Sequence, residues 1–202
     1  MKKVYCIRHG KALHNVLQPL IGKVAYVNEK YTDTPLVDEG QYQSEKLGLT
    51  WREKSNIEVV FVSPLTRTLD TAINIFKNMN VKLIANEEII EYPQGKEYCN
   101  LRKCKSELEK KYPIIDFSNL DEKPKYWKGE REETFEELNE RDLHFKSILK
   151  NNNYKKICIV SHSTYLKQFL FGFVDSVDEK HELKHCFTYE KPLQQLIVTE
   201  SI

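Results

Sequence analysis

Four short runs in which almost every side chain is apolar constrain this chain more than any other feature. They are "KVYCI" (3–7), "EVVFV" (58–62), "VKLIA" (81–85) and "ICIVS" (157–161). A strand with one wet face alternates apolar and polar residues, whereas unbroken runs rich in Val and Ile belong to strands covered on both faces. Two of the runs lead directly into helical patterns. "SPLTRTLDTAINIFKNM" (63–79) has Ser63 placed as a cap and Pro64 at the first helical position, and "TYLKQFLFGF" (164–173) follows the last run. "DEGQYQSEKLGLTWREK" (38–54) is also helical, with Tyr42, Leu47 and Trp51 among its apolar positions. In "TFEELNERDLHFKSILK" (134–150), Phe135, Leu138, Leu143 and Ile148 are spaced for one face. Strands alternating with helices predict an α/β fold, three α/β/α layers with a mostly parallel central sheet.

Towards the end of the chain, "HCFTYEKPLQQLIVTE" (185–200) reads as a strand, a turn around Lys191-Pro192 and a last strand. Between about 87 and 133 periodicity fades into a charged stretch containing Pro93, Gly95, Pro113, Pro124 and Gly129, which reads as a lid inserted over the core. A chain of 202 residues suits one domain spanning 1–202. With 31 Lys and Arg against 30 Asp and Glu, no global field draws nucleic acid or an acidic membrane, so an anion must be held by a local cluster. The apolar stretch at the N-terminus is too short for a signal peptide and no later segment reaches the length of a membrane span, so a cytoplasmic location is expected. Five cysteines is an odd number, and Cys6 and Cys158 sit inside apolar runs, so all five are read as reduced thiols. Oligomeric state is left open.

The polar residues that interrupt this plan fall at strand ends. Arg8 and His9 follow the first run, Arg67 lies in the first turns of the helix after the second, and His162 follows the fourth. In an open parallel sheet the carboxyl ends of the strands converge on one crevice, where ligands bind. Taken singly, each has an ordinary explanation: a surface charge for Arg8, a satisfied histidine for His9, a solvated helix face for Arg67. Their placement at three strand ends favours a shared site. Guanidinium forks pair with phosphate oxygens and imidazole serves as nucleophile or proton carrier near neutral pH, so the set suits a phosphoryl group.

Arg8-His9-Gly10, Asn15, "DTPLVDEGQYQSEKLG" (33–48), "VFVSPLTRTLDTA" (60–72) and "IVSHSTYLK" (159–167) together resemble the histidine phosphatase superfamily, also called phosphoglycerate mutase-like. They occur in family order across nearly the whole chain. Within that superfamily, residues 111–138 are similar to a plant and fungal phosphomutase-like branch. The resemblance implies the phosphoglycerate mutase-like version of the fold and a phosphatase acting on a small phosphorylated substrate without cofactor or metal. His9 would attack phosphorus to give a phosphohistidine that water hydrolyses, with Arg8, Asn15, Arg67 and His162 holding the phosphoryl oxygens. The leaving alkoxide needs a proton, and Glu87, Glu88 and Glu91 are the available acids just beyond the third run. Glu91 is favoured because "EYPQG" repeats the family's spacing of an acid four residues before a glycine, and Glu88 is the alternative.

Three rival readings accompany this one. Phosphoglycerate mutase chemistry is disfavoured because "NEEIIEYPQGKEYC" lacks the arginine-bearing segment that grips a substrate carboxylate in true mutases, although Arg102, Lys103 and Lys105 could touch a second anionic group. A charge-laced exposed helix is the plainer account of those three residues. A non-catalytic module that only binds a phosphorylated ligand would also keep the fold. Cys99, Cys104, His181 and His185 have zinc-like spacing within each pair, but the gap between pairs is long.

Overall fold

The structure, a computed structural model, describes residues 2–172 and 181–197. Its centre is a sheet of β1 (Lys3–Arg8), β2 (Val59–Val62), β3 (Lys82–Ala85), β4 (Ile115–Asp116), β5 (Lys156–Ser161) and β6 (Thr188–Pro192), in the order β4-β3-β2-β5-β1-β6. All neighbours are parallel except β6, which runs antiparallel to β1. The four apolar runs are the four central strands. The chain moves from β1 to β2 across a gap that β5 fills later, and the register aligns the carboxyl ends of these three strands: Arg8 opposite Ser161, and Val62 opposite Val160. That reversal of strand order opens a crevice at the strand ends.

The helices are α1 (Leu13–Ile21), α2 (Val24–Val27), α3 (Asp38–Thr50), α4 (Thr66–Ile75), α5 (Lys105–Lys111), α6 (Phe135–Asn151), α7 (Ser163–Phe171) and α8 (Leu193–Ile197). Successive strand residues face opposite ways, so the continuous apolar runs feed two cores. Val4, Cys6, Phe61 and Ile159 pack with Leu138, Phe145 and Leu149 of α6 and with α7 and α8. Tyr5, Ile7, Val60, Val62 and Val160 pack with Leu69, Ala72 and Ile75 of α4 and with Leu108 of α5. These are the expected three layers. Each fully buried Val, Ile, Leu or Phe contributes about 1.5–3 kcal/mol relative to exposure. α6 starts at a capping box in which Thr134 Oγ1 accepts from the Glu137 amide (3.3 Å) and Glu137 Oε2 accepts from the Thr134 amide (2.9 Å).

Several boundaries differ from the sequence expectation for physical reasons. α4 begins at Thr66, because Leu65 is extended (φ −88°, ψ 141°) and the Ser63 hydroxyl is engaged elsewhere. α3 buries Gly40, Ser44 and Gly48, a stripe of small residues four apart, while Tyr42 faces solvent at 62% exposure. The segment 87–133 is only partly a lid. β4 joins the sheet edge beside β3, and Leu108, Tyr112, Ile115, Phe117 and Leu120 sink into the second core. Lys191-Pro192 ends β6 instead of making a turn, since an edge strand can spare the amide that proline lacks. Leu193–Ile197 is helix where a strand was expected. Residues 198–200 of that expected strand, and Phe173, lie outside the described residues. The helix α1, with Pro19 inside it, was not anticipated.

Candidate active site

β1 delivers His9 to the crevice, where its amide donates to the Ser161 carbonyl (3.0 Å) at the neighbouring strand end. The ring is 2% exposed, and its Nδ1 lies 2.7 Å from the Gly10 carbonyl. A carbonyl oxygen only accepts, so Nδ1 carries the hydrogen and Nε2 keeps its lone pair. Burial first, then the cationic Arg67, hold His9 well below the ordinary histidine value, so the ring is neutral. Gly10 passes so close to α3 that a Cβ there would lie 2.5 Å from the Gly40 carbonyl oxygen, and its amide donates to Thr71 Oγ1 (3.0 Å) on α4. Those contacts fix the turn that carries the ring.

Arg67 is the second residue of α4 and 1% exposed. Its Nη1 donates to the Cys99 carbonyl (2.6 Å) and its Nη2 to Asn100 Oδ1 (2.8 Å). The start of α4 is capped from outside: Asp33 accepts from the Thr66 amide (2.8 Å) and from Thr66 Oγ1 (2.7 Å). Arg8 donates through Nη1 to the Leu183 carbonyl (2.8 Å). Among the described residues, the buried Nε atoms of both arginines and Nδ1 of His162 have no hydrogen-bond partner. Buried polar atoms left unsatisfied carry a desolvation cost.

His162, fully buried after β5, lies edge-on to His9 with ring centroids 5.1 Å apart. Its Nε2 is 2.7 Å from the Ser63 hydroxyl, which explains why Ser63 does not cap α4. Asn15 lines the cavity, and its Oδ1 is taken by the Ala12 amide (3.0 Å), which leaves the NH2 end as the free donor. Two further histidines, His14 and His185, flank His9 at 6.0 and 5.4 Å. Burial lowers both, His185 to about 4. His14 holds Thr34 Oγ1 (2.5 Å), and His185 Nδ1 donates to the His9 carbonyl (2.7 Å).

Arg8, His9, His14, Asn15, Tyr26, Arg67, Glu91, Glu97, Cys99 and Asn100 border one cavity of about 340 Å³. Glu91 is the one of the three expected acids that reaches it. Its carboxylate accepts from the Tyr92 amide (2.9 Å) and, at the start of α7, from the amides of Thr164 (3.3 Å) and Tyr165 (3.0 Å). The structure does not bring Glu88 there. Glu88 binds Lys125 (3.0 Å), the Tyr126 hydroxyl and His144 (3.0 Å) at a separate cavity. Glu87 is buried against Arg102, with Nε–Oε1 and Nη2–Oε2 both 2.8 Å. Arg102 therefore faces no second anion: it is 2% exposed, and its remaining donors serve the carbonyls of Asp121, Lys103, Glu122 and Lys123. No three His, Cys, Asp or Glu side chains among the described residues gather as a metal set, so Cys99, Cys104, His181 and His185 do not converge.

The sequence reading missed His14, Tyr26, Glu97, Asn100 and His185. His14 stood beside Asn15 and was open to notice, whereas Glu97 and Asn100 lie in the aperiodic stretch, where no pattern reports which side chains turn inward. Glu97 is lifted to about 7 by burial and by Glu91 nearby, and Asn100 Nδ2 donates to its Oε2 (3.1 Å).

Residues 4–186 match the model of the histidine phosphatase superfamily (branch 1). Phosphoglycerate mutase-like protein 1 of Arabidopsis thaliana is 30% identical over a stretch covering 82% of this chain and 69% of that protein. The ecdysone phosphate phosphatase of Bombix mori, solved with tungstate, superposes with a TM-score of 0.64 at 15% identity, covering 94% of this chain and 88% of that one. The alpha-ribazole phosphatase of Shigella flexneri superposes with a TM-score of 0.62 at 19% identity, covering 93% and 89%.

Proposed function

The chain belongs to the histidine phosphatase superfamily, and from that membership and the cavity geometry we propose that it hydrolyses a small phosphomonoester through a phosphohistidine on His9. The observation that carries this reading is the His9 ring. Its Nδ1 hydrogen is tied to the Gly10 carbonyl at 2.7 Å, so Nε2 offers a lone pair into a cavity walled by Arg8 and Arg67.

In the first step Nε2 attacks phosphorus in line, the P–N bond forms and the ester P–O bond breaks. Glu91 gives its proton to the departing alkoxide. Arg8, Arg67, Asn15 and His162 offset the charge on the equatorial oxygens. In the second step water attacks the phosphohistidine and gives a proton to the Glu91 carboxylate. The P–N electron pair returns to Nε2. Two displacements of moderate barrier replace one hard one.

Phosphate release from p-nitrophenyl phosphate, with His9→Ala as the blank, tests turnover. Base quenching during turnover followed by phosphorus NMR tests the intermediate. Acid-labile phosphate on His9 supports the reading, whereas turnover that survives in His9→Ala refutes it. Incubation with 3-phosphoglycerate and a bisphosphoglycerate primer separates hydrolysis from isomerisation: a hydrolase releases phosphate and leaves the phosphoryl position unexchanged.

A further inference from the structure

The distribution of charge around the cavity says what the rest of the substrate carries. Among the residues that border it, the fixed cations are Arg8 and Arg67, and both belong to the phosphoryl end beside His9. The same cavity is bordered by Glu91, Glu97 and Tyr26. Three basic side chains of the covering segment are engaged elsewhere: Arg102 is spent on Glu87, Lys105 pairs with Glu109 (3.8 Å), and Lys125 serves Glu88. Among the described residues no Lys or Arg besides those two arginines borders the cavity, so a substrate carboxylate beyond the phosphoryl end would meet two acidic side chains. Glu91 is already committed to three backbone amides and to the leaving oxygen, which leaves Glu97 as the acid without an assignment.

Resting on the phosphatase reading above, we propose that Glu97 sets the substrate class: the site takes phosphomonoesters of short amino alcohols, with the ammonium group seated against the Glu97 carboxylate. The amide of Asn100 provides the ruler. It accepts from Arg67 Nη2 at 2.8 Å and donates to Glu97 Oε2 at 3.1 Å, so guanidinium and carboxylate are no more than about 8 Å apart. Phosphate and ammonium seated on two groups this close can be joined only by a short chain arching over Asn100, which limits the alcohol to two or three carbons. An ammonium at this point also favours the charged Glu97 carboxylate that burial otherwise penalises.

Three probes of equal length and different charge test the proposal: O-phosphoethanolamine, ethyl phosphate and phosphoglycolate, each followed by phosphate release at pH 7.5. The expected order of kcat/KM is amine above neutral above carboxylate, with the amine favoured over ethyl phosphate on the order of tenfold, as for a charge-assisted contact in a partly buried site. In Glu97→Gln that ratio collapses towards one, and in Glu97→Lys phosphoglycolate overtakes phosphoethanolamine. Equal wild-type rates for amine and neutral ester, or a ratio that persists in Glu97→Gln, overturn the proposal. The wild-type series decides it alone where the variants fail to fold. Release from p-nitrophenyl phosphate without the predicted order defeats this inference only. No release from any ester defeats the phosphatase reading and this inference together.

Discussion

Gly40→Ala concentrates the logic of the fold in one methyl group. A Cβ at position 40 would lie 2.1 Å from the Lys11 carbonyl oxygen and 2.7 Å from its amide nitrogen, so backbone must move by about 1 Å to reach ordinary contact. The Lys11 carbonyl accepts from the Val37 amide (3.0 Å) and the Lys11 amide donates to Gln43 Oε1 (2.9 Å), so the shift strains two hydrogen bonds besides the packing. Overpacking costs about 1–3 kcal/mol and a weakened hydrogen bond about 0.5–1.5 kcal/mol, which together give roughly 2–4 kcal/mol. For a chain of this size that lowers Tm by about 5–15 °C. Lys11 is two residues from His9, and a displacement near 1 Å at the proposed nucleophile lowers kcat/KM on the order of a hundredfold. Calorimetry and p-nitrophenyl phosphate turnover read the two effects. Gly48→Ala is the comparison, because its Cβ would approach only to 2.9 Å from the Asn74 and Ile75 carbonyl oxygens, on the same stripe but away from the site. It should cost less stability and leave kcat/KM within a few-fold of wild type. A Gly40→Ala protein with wild-type Tm and activity refutes the claim that this approach positions His9.

Asp33→Asn leaves the Thr66 amide with a poorer cap and should cost about 1–2 kcal/mol in denaturant unfolding, with KM raised more than kcat is lowered because Arg67 is next along α4. His185 is neutral in the folded chain down to about 4 but protonates near 6.5 when unfolded, so below pH 6.5 the unfolded state binds the extra proton and stability falls with pH. Replacing it, as in His185→Asn, should make the acid limb shallower by up to about 1.4 kcal/mol per pH unit between 6 and 4.5, measured by urea unfolding at each pH. Arg102→Met strands the buried Glu87 carboxylate and should cost about 3–5 kcal/mol. Adding Glu87→Gln should restore part of that loss, and a double-mutant cycle in guanidinium chloride measures the coupling.

The sheet and its two covered faces were legible because four apolar runs and the helices between them obey simple periods. The gathering of Arg8, His9 and Arg67 at one cavity was legible for a related reason, since residues just past parallel strands share one rim. What the sequence did not disclose was held by distant pairing. Ser63 resembles a helix cap until His162, 99 positions away, claims its hydroxyl, and Arg102 resembles a surface charge until Glu87 and four carbonyls surround it. Glu88 and Glu91 are three residues apart in an aperiodic stretch, and only the docking of α7 and of Tyr126 decides which faces the cavity. The Gly40 and Gly48 stripe carries no hydrophobic signal, because close approach is made by small size.

Two of the buried ion pairs, Arg102 with Glu87 and Arg141 with Glu133, bear on how this site can diverge. Arg102 lies within the segment that covers the cavity, and its partner stands at the end of β3. Arg141 on α6 grips Glu133 at the far end of that segment and also donates to the carbonyls of Glu88 and Ile90. Loss of either member alone leaves a naked charge in the interior, so Arg102 is tied to Glu87 and Arg141 to Glu133. The wall-forming positions between the anchors, Glu97 among them, carry no such obligation. Single substitutions can therefore alter that wall while the frame that holds it stays fixed.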